Sequence, residues 1–326
     1  MKKAPLKFIP ILQEKIWGGT KLVDVLHKKA NHLSDTIGES WEISTVKDAV
    51  SVVAEGVYKG KTLVDLINEF PNDLLGEKVA EKFPNEFPLL IKYIDAKQDL
   101  SIQLHPNDAL AQKRHQSYGK TEMWYIMQAD NNAEIIVGFK EEVNAKTYQK
   151  YLKEGKITEI LNAEKVQEGD VYFIPTGRVH AIGAGVLLAE IQQTSDITYR
   201  IYDWERTDKN GNSRELHTEY ALDAMDFMVT DSYKTMYKKK KNTATEIVNC
   251  PFFTTAILPV KGRLEKDFST RDSFTILMNV KGNARINYND ESMSLAYGET
   301  ILIPKTLEKI TIDALEQTEL LEVYIN

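Results

Sequence analysis

The sequence has a single cysteine, Cys250, among 326 residues. No internal disulfide can form, a cysteine-rich zinc cluster is excluded, and a reducing compartment fits. Long apolar runs are missing as well: nothing approaches the ~20 residues of a membrane span. The amino-terminal MKKAPLKFIPIL starts with lysines, but Pro5, Lys7 and Pro10 interrupt it, so it lacks the apolar region of a signal peptide. These absences together predict a cytoplasmic protein. Positive charge is in deficit, with a net charge of −7. Neither nucleic acid nor an anionic membrane is therefore expected as the main partner, and an anionic substrate must be drawn by a local basic pocket. What remains is ordinary globular composition, with 42% hydrophobic and 27% charged residues. The length suggests two domains, or one barrel with additions.

Most of the chain reads as short strands between turns. SWEISTV, VSVVAEG, DLSIQLHP, EMWYIMQ, AEIIVGF, DVYFIPTG and VLLAEIQQ are rich in β-branched and aromatic residues and bounded by Gly, Pro or Asn. Helices are expected in TLVDLINEFPNDLLGEKVAEKF, where Pro71 ends the first turn set, in VNAKTYQKYLKEGKITEILNA, broken at Gly155, and in LHTEYALDAMDFM. The lysine run Lys238 to Lys241 marks a solvated surface crossing. Beyond it FFTTAILPV, DSFTILMNVKG, NARINYN, ETILIPK, KITIDA and ELLEVYI predict an all-β carboxyl-terminal part. Strands dominate and helices decorate, so an all-β-dominated sandwich or barrel is favoured over an α/β sheet.

A short repeat lies within these strands. GDVYFIPTG begins at Gly169 and GETILIPKT at Gly298. In each, glycine supplies a tight turn, a strand follows, and proline closes it where no ladder N–H is needed. The first copy continues through Pro175 and Gly177 to His180, whereas no histidine follows the second. The first resembles the second conserved motif of the cupin superfamily, and the second resembles the same motif without its metal ligand. The resemblance implies two cupin-type jelly-roll β-barrels with a small helical insertion: a catalytic domain over residues 1–237 and a degenerate domain without a metal site over 242–326.

Ser101, Gln103 and His105 alternate along a strand, so they share a face, while Leu100, Ile102 and Leu104 are expected on the opposite one. Glu122 opens a later strand and His180 follows the Pro-Gly turn of a third. Brought to one point, Gln103, His105, Glu122 and His180 would offer an amide oxygen, two imidazoles and a carboxylate. That set suits zinc with open positions, and also Mn²⁺ or Fe²⁺. His27, His32, His115 and His217 are expected to take no part in it.

EKIWGG, GESWEIS, LSIQLHP, GKTEMWYI, IPTGRVHAIGAG and EIQQTSDITYRIYDW resemble the motifs of the class I mannose-6-phosphate isomerases, in their short bacterial form. The resemblance implies reversible interconversion of mannose 6-phosphate and fructose 6-phosphate with one bound Zn²⁺ per chain, held by Gln103, His105, Glu122 and His180. It places the family's catalytic arginine on Arg200 and its active-site lysine on Lys120. An aldose–ketose isomerase moves a proton between adjacent carbons through an enediol. It needs a Lewis acid or fixed cation for the oxyanion and a general base. Arg200 is the candidate for the fixed cation, because it remains charged. Glu190 and Lys120 are both candidates for the base, and Asp196 for orienting either. The phosphate cradle is assigned to Ser101 and Lys120, with Arg206 by its spacing after Arg200, and Trp17 to the pocket wall. An iron dioxygenase of the same superfamily would instead want His-x-His and no phosphate cradle, and a non-catalytic sugar-phosphate sensor would not need Arg200.

Overall fold

A computed structural model describes residues 1–29, 35–208 and 210–326. His32 lies outside the described residues. The described chain is mostly strand, arranged in three antiparallel sheets, with seven short α-helices among the described residues. The first sheet runs in the order Ile11–Gly19, Ile37–Ile43, Leu89–Ala96, Val186–Gln193, Glu122–Ala129, Val171–Ile174. The second runs Tyr199–Tyr202, Ile102–Leu104, His180–Ile182, Glu134–Phe139, Leu161–Lys165. The third is built on two long strands, Thr254–Asp267 and Lys309–Tyr324. Among the described residues each of the first two sheets runs from one edge strand to another, without the ring of pairings that a closed barrel would have.

The first sheet is buried on both faces, and its alternation sorts the core. Leu187, Ala189 and Ile191 pack with Met123, Tyr125, Ile91 and Tyr93 against residues of the third sheet, including Ile276, Met278, Leu321 and Val323. On the other face Leu188, Trp124, Ile126 and Ile94 meet Ile135, Val137 and Ile182 of the second sheet. Trp17 and Leu100 join that second cluster. The strand Val186–Gln193 is therefore buried at all eight positions, as a central strand between two layers must be. The far side of the second sheet is covered by the helices Ala145–Lys153 and Thr218–Ala224.

Local chemistry explains the helix boundaries. Thr62 caps Leu63–Glu69 with a reciprocal box to Asp65. Pro71 ends that helix, as the sequence predicts, and also opens the next one, Pro71–Leu75, at a position whose N–H needs no partner. Asn144 accepts from the backbone of Lys146 and Thr147 to start Ala145–Lys153, and Gly155 follows with φ +71°.

Some expectations change. VSVVAEG makes no strand; Val52 and Val53 form single bridges to Thr62 and Phe8 beside the turn carrying Gly56 and Gly60. KITIDA and ELLEVYI are halves of one 16-residue strand, exposed in its middle, whose first half pairs Ala284–Tyr288 and whose second half pairs Thr275–Lys281. The lysine run is exposed, but Lys239 reaches Glu319 at 2.6 Å. The chain's first residues belong with the third sheet: Leu6 and Leu302 exchange both backbone hydrogen bonds.

The sequence repeat is also a structural one. Gly169 and Gly298 both have positive φ, and Val171–Ile174 and Thr300–Ile303 are both four-residue strands at the end of a sheet's strand order. The same spacing then leads to His180 and to Lys309, each the first residue of a strand. His180 is buried, whereas the Lys309 side chain is 74% exposed and pairs with Asp267.

Candidate metal centre and substrate pocket

The second sheet and the central strands of the first bring three distant segments to one point. Gln103 and His180 are cross-strand partners, and Glu122 pairs with Gln192 in the first sheet. One ligand atom each from His105, Glu122 and His180 lie within 4.8 Å of one another, and all three residues are buried. His180 Nε2 stands 3.4 Å from Glu122 Oε1, and His105 Nε2 stands 3.6 Å from Oε2. Gln103 is adjacent, with Oε1 accepting from Ser101 Oγ at 3.2 Å. The alternation of Ser101, Gln103 and His105 holds, but Leu100 does not lie opposite them. It precedes the three-residue strand, packs in the core between the sheets and lines the same pocket.

The donor set fits a metal ion. Both histidines bond a backbone carbonyl through Nδ1: His105 to Ile197 and His180 to Arg178, each at 2.8 Å. A carbonyl only accepts, so Nδ1 carries the proton and Nε2 presents its lone pair. Burial holds both imidazoles neutral, His180 down to about 3 and His105 well below its usual range, with Lys120 also lowering His105. His180 Nε2 and both Glu122 oxygens are buried without a well-formed hydrogen bond, although Lys120 Nζ lies 2.7 Å from Oε2. Burial and the neighbouring Glu190 push the Glu122 carboxyl up. Buried acceptors left this way are costly unless a cation meets them.

The centre opens into a cavity of about 140 Å³ lined by Trp17, Lys92, Ser101, Gln103, Lys120, Glu190, Asp196, Arg200 and Arg214, among others. A larger cavity of about 410 Å³ beside Trp204 has no Lys, Arg or His in its lining. In the first cavity the charges alternate: Lys15, Glu39, Lys92, Glu190, Lys120 and Glu122 lie along a row whose neighbouring charged atoms are 2.7–3.9 Å apart. Glu190 Oε2 also accepts from Trp124 Nε1 at 3.0 Å. Burial would raise Glu190, but Lys120 and Lys92 outweigh it and hold the carboxyl low. Burial would lower Lys120, but Glu122 and Glu190 raise it and keep the ammonium charged.

Arg200 sits at the rim, its Nε on Ser101 Oγ at 3.3 Å and its Nη1 on the Glu215 carbonyl at 2.9 Å. Asp196 is exposed at the mouth. Arg206 does not line the cavity. Its guanidinium is bound to Asp203 and to the Asp99 carbonyl, away from the cavity where its spacing after Arg200 leads one to expect it. Arg214 reaches the cavity instead, braced on Asp203 through Nε at 2.7 Å. Arg214, Lys92, Glu39 and Lys15 were not singled out from the sequence. Lys92 carries a signal, since it is a charge within the apolar run at residues 89–94; Glu39 shares its strand with Ser40 and Glu42, and Arg214 lies in a polar loop, so neither stands out. His115 bonds the Tyr199 hydroxyl at 2.8 Å, and His27 is exposed, so neither joins the centre.

Residues 6–159 match the family described as phosphomannose isomerase type I, catalytic domain, and residues 243–325 match the mannose-6-phosphate isomerase cupin domain. The mannose-6-phosphate isomerase ManA of Bacillus subtilis is 34% identical over 320 residues, covering 96% of this chain and 97% of that protein. The mannose-6-phosphate isomerase of Streptococcus mutans is 33% identical over 312 residues, covering 95% of each. The crystal structure of a Bacillus subtilis mannose 6-phosphate isomerase superposes with a TM-score of 0.89 at 34% identity, over 99% of this chain and 100% of that one. Likeness of this extent, running through both sheets that build the candidate metal centre, shows that the chain belongs to the type I phosphomannose isomerases.

Proposed function

We propose that this chain is a zinc-dependent aldose–ketose isomerase that interconverts mannose 6-phosphate and fructose 6-phosphate through an enediol, with Gln103, His105, Glu122 and His180 as the metal ligands. The observation that carries the reading is the buried His105–Glu122–His180 group opening onto a cavity rimmed by cations. Both isomers are sugar phosphates, and a chain of net charge −7 needs such a local cluster to draw an anion. The fold is read as two cupin-type jelly rolls, one over residues 1–237 with the metal and one over 242–326 without it.

When bound, the ion supplies a Lewis acid for the sugar oxygens at the reacting carbons. The protein supplies the rest. Glu190, ionised and held by Trp124 and Lys92, accepts the proton from C2 and returns it to C1, while the hydroxyl proton passes from O2 to O1. Lys120, charged and 3.9 Å from Glu190, hydrogen-bonds the oxygen on which negative charge develops. Arg200, always charged, shares that task from the rim. The phosphate lies toward the mouth, against Arg214, with Asp196 at its edge. Ser101 positions rather than binds in this reading, since its hydroxyl already joins Arg200 to Gln103. Trp17 forms the wall.

The deciding experiment is a coupled assay of fructose 6-phosphate formation from mannose 6-phosphate, run beside Glu190→Gln. Turnover by the parent and its collapse in the variant, with C2 proton exchange into solvent also lost, are expected. Exchange at the parental rate in Glu190→Gln would remove Glu190 from the proton path.

A further inference from the structure

Arg200 stands on the edge strand of the second sheet, where its inner neighbour is Gln103. The outer edge of such a strand leaves backbone groups to be satisfied by something else. Here the loop before the last helix does so. The His217 N–H donates to the Arg200 carbonyl at 2.7 Å, and the Arg200 N–H donates to His217 Nδ1 at 3.3 Å. An imidazole nitrogen thus takes the place that a carbonyl would hold in a neighbouring strand. The same loop reaches the side chain, because the Glu215 carbonyl accepts from Arg200 Nη1. With Nε on Ser101, Nη2 is the guanidinium nitrogen that makes no hydrogen bond to the described chain, and Arg200 lines the cavity. The adjoining Tyr199 is buried and pinned through its hydroxyl to His115.

We propose that His217 is a positioning residue for the isomerase reaction, setting the register of Arg200 through its Nδ1 acceptor and so aiming the guanidinium at the substrate. The inference rests on the reading of Arg200 given above. His217 touches no substrate and no metal ligand in this role. It acts by fixing both backbone groups of Arg200 while Glu215, two residues earlier, fixes Nη1. A displacement of the guanidinium by a fraction of an ångström is enough to weaken a bond needed only in the transition state.

Three variants separate the acceptor from the bulk. Asparagine carries an acceptor at the same distance from its backbone as Nδ1, so His217→Asn should keep kcat within about threefold of the parent. His217→Phe keeps a ring but no acceptor, and should lower kcat about tenfold with KM changed less than threefold. Metal content should be equal in all. Amide exchange at the Arg200 N–H should quicken in His217→Phe and return toward the parental rate in His217→Asn. Native kcat in His217→Phe, or equal loss in both variants, overturns the proposal. Arg200→Lys is run in parallel. A near-native kcat there sinks the reading of Arg200 itself, whereas a low value beside a native His217→Phe sinks the positioning role alone.

Discussion

The backbone N–H of Gly177 donates to the carbonyl of His105 at 2.8 Å, tying the loop that delivers one histidine to the residue that is the other. Gly177 has φ +82°, and a Cβ there would stand 2.5 Å from the Ala224 carbonyl. Gly177→Ala therefore meets both a left-handed backbone and a clash with a backbone oxygen. It should cost about 1–3 kcal/mol of stability and weaken metal binding, because His105 and His180 move together. Thermal melts and metal analysis on the purified variant check this; a native melting temperature with full metal content would refute it.

Metal removal tests the centre as a whole. A chelator should abolish turnover and added zinc restore it, with about one ion per chain in the active form. His180→Ala should lose most of the metal, since it deletes a buried imidazole whose Nε2 faces Glu122. His115→Ala should keep it, because His115 bonds Tyr199 instead. Equal metal content in the two variants would show that the wrong histidines were chosen.

Arg200 and Lys120 should separate in steady-state kinetics. Arg200→Lys keeps the charge but loses the planar fork that spans Ser101 and Glu215. Its kcat should fall by roughly 10²-fold, as for loss of an oxyanion donor, with KM little changed. Lys120→Met removes the cation between Glu122 and Glu190. It should lower kcat at least as much, and a rise confined to KM would move Lys120 from the reacting carbons to the phosphate.

Asp203 gives a pH-dependent prediction away from the metal. Burial would raise its pKa, but the bonded guanidinium groups of Arg214 and Arg206 outweigh that and lower it. A carboxyl whose folded pKa is depressed adds stability above its unfolded value of about 4 and loses it as pH falls through the folded value. Asp203→Asn should therefore be less stable than the parent at pH 7, with the gap closing below about pH 4. Because Arg214 is braced on this carboxylate, KM for the sugar phosphate should also rise. A stability gap independent of pH would mean that charge is not what Asp203 contributes.

Much of the site could be read from the one-dimensional sequence, because its signals are short-range. A period of two placed Gln103 and His105 on one face, and the turn at Pro175 and Gly177 announced His180. The paired glycine–strand–proline motifs predicted two similar edge strands, which the structure has at Val171–Ile174 and Thr300–Ile303. These features depend on backbone geometry within a few residues, so composition and spacing suffice to show them.

Tertiary structure decided what lies between segments far apart in the chain. Arg206 is the phosphate ligand that spacing after Arg200 suggests, whereas Arg214 gives no signal on paper. Only the fold shows that Asp203 and the Asp99 carbonyl hold the first away, while the Asp203 carboxylate braces the second at the cavity. Glu39 and Lys92 become part of the site only when three neighbouring strands of the first sheet stack their charges against Glu190. The sequence by itself determined the strand-rich class, the residue types that could hold a metal and the family, because each is encoded in local pattern. The direction of each buried charge and the neutrality of both imidazoles were settled by long-range packing, since the electrostatic environment of a group depends on every residue that folds against it.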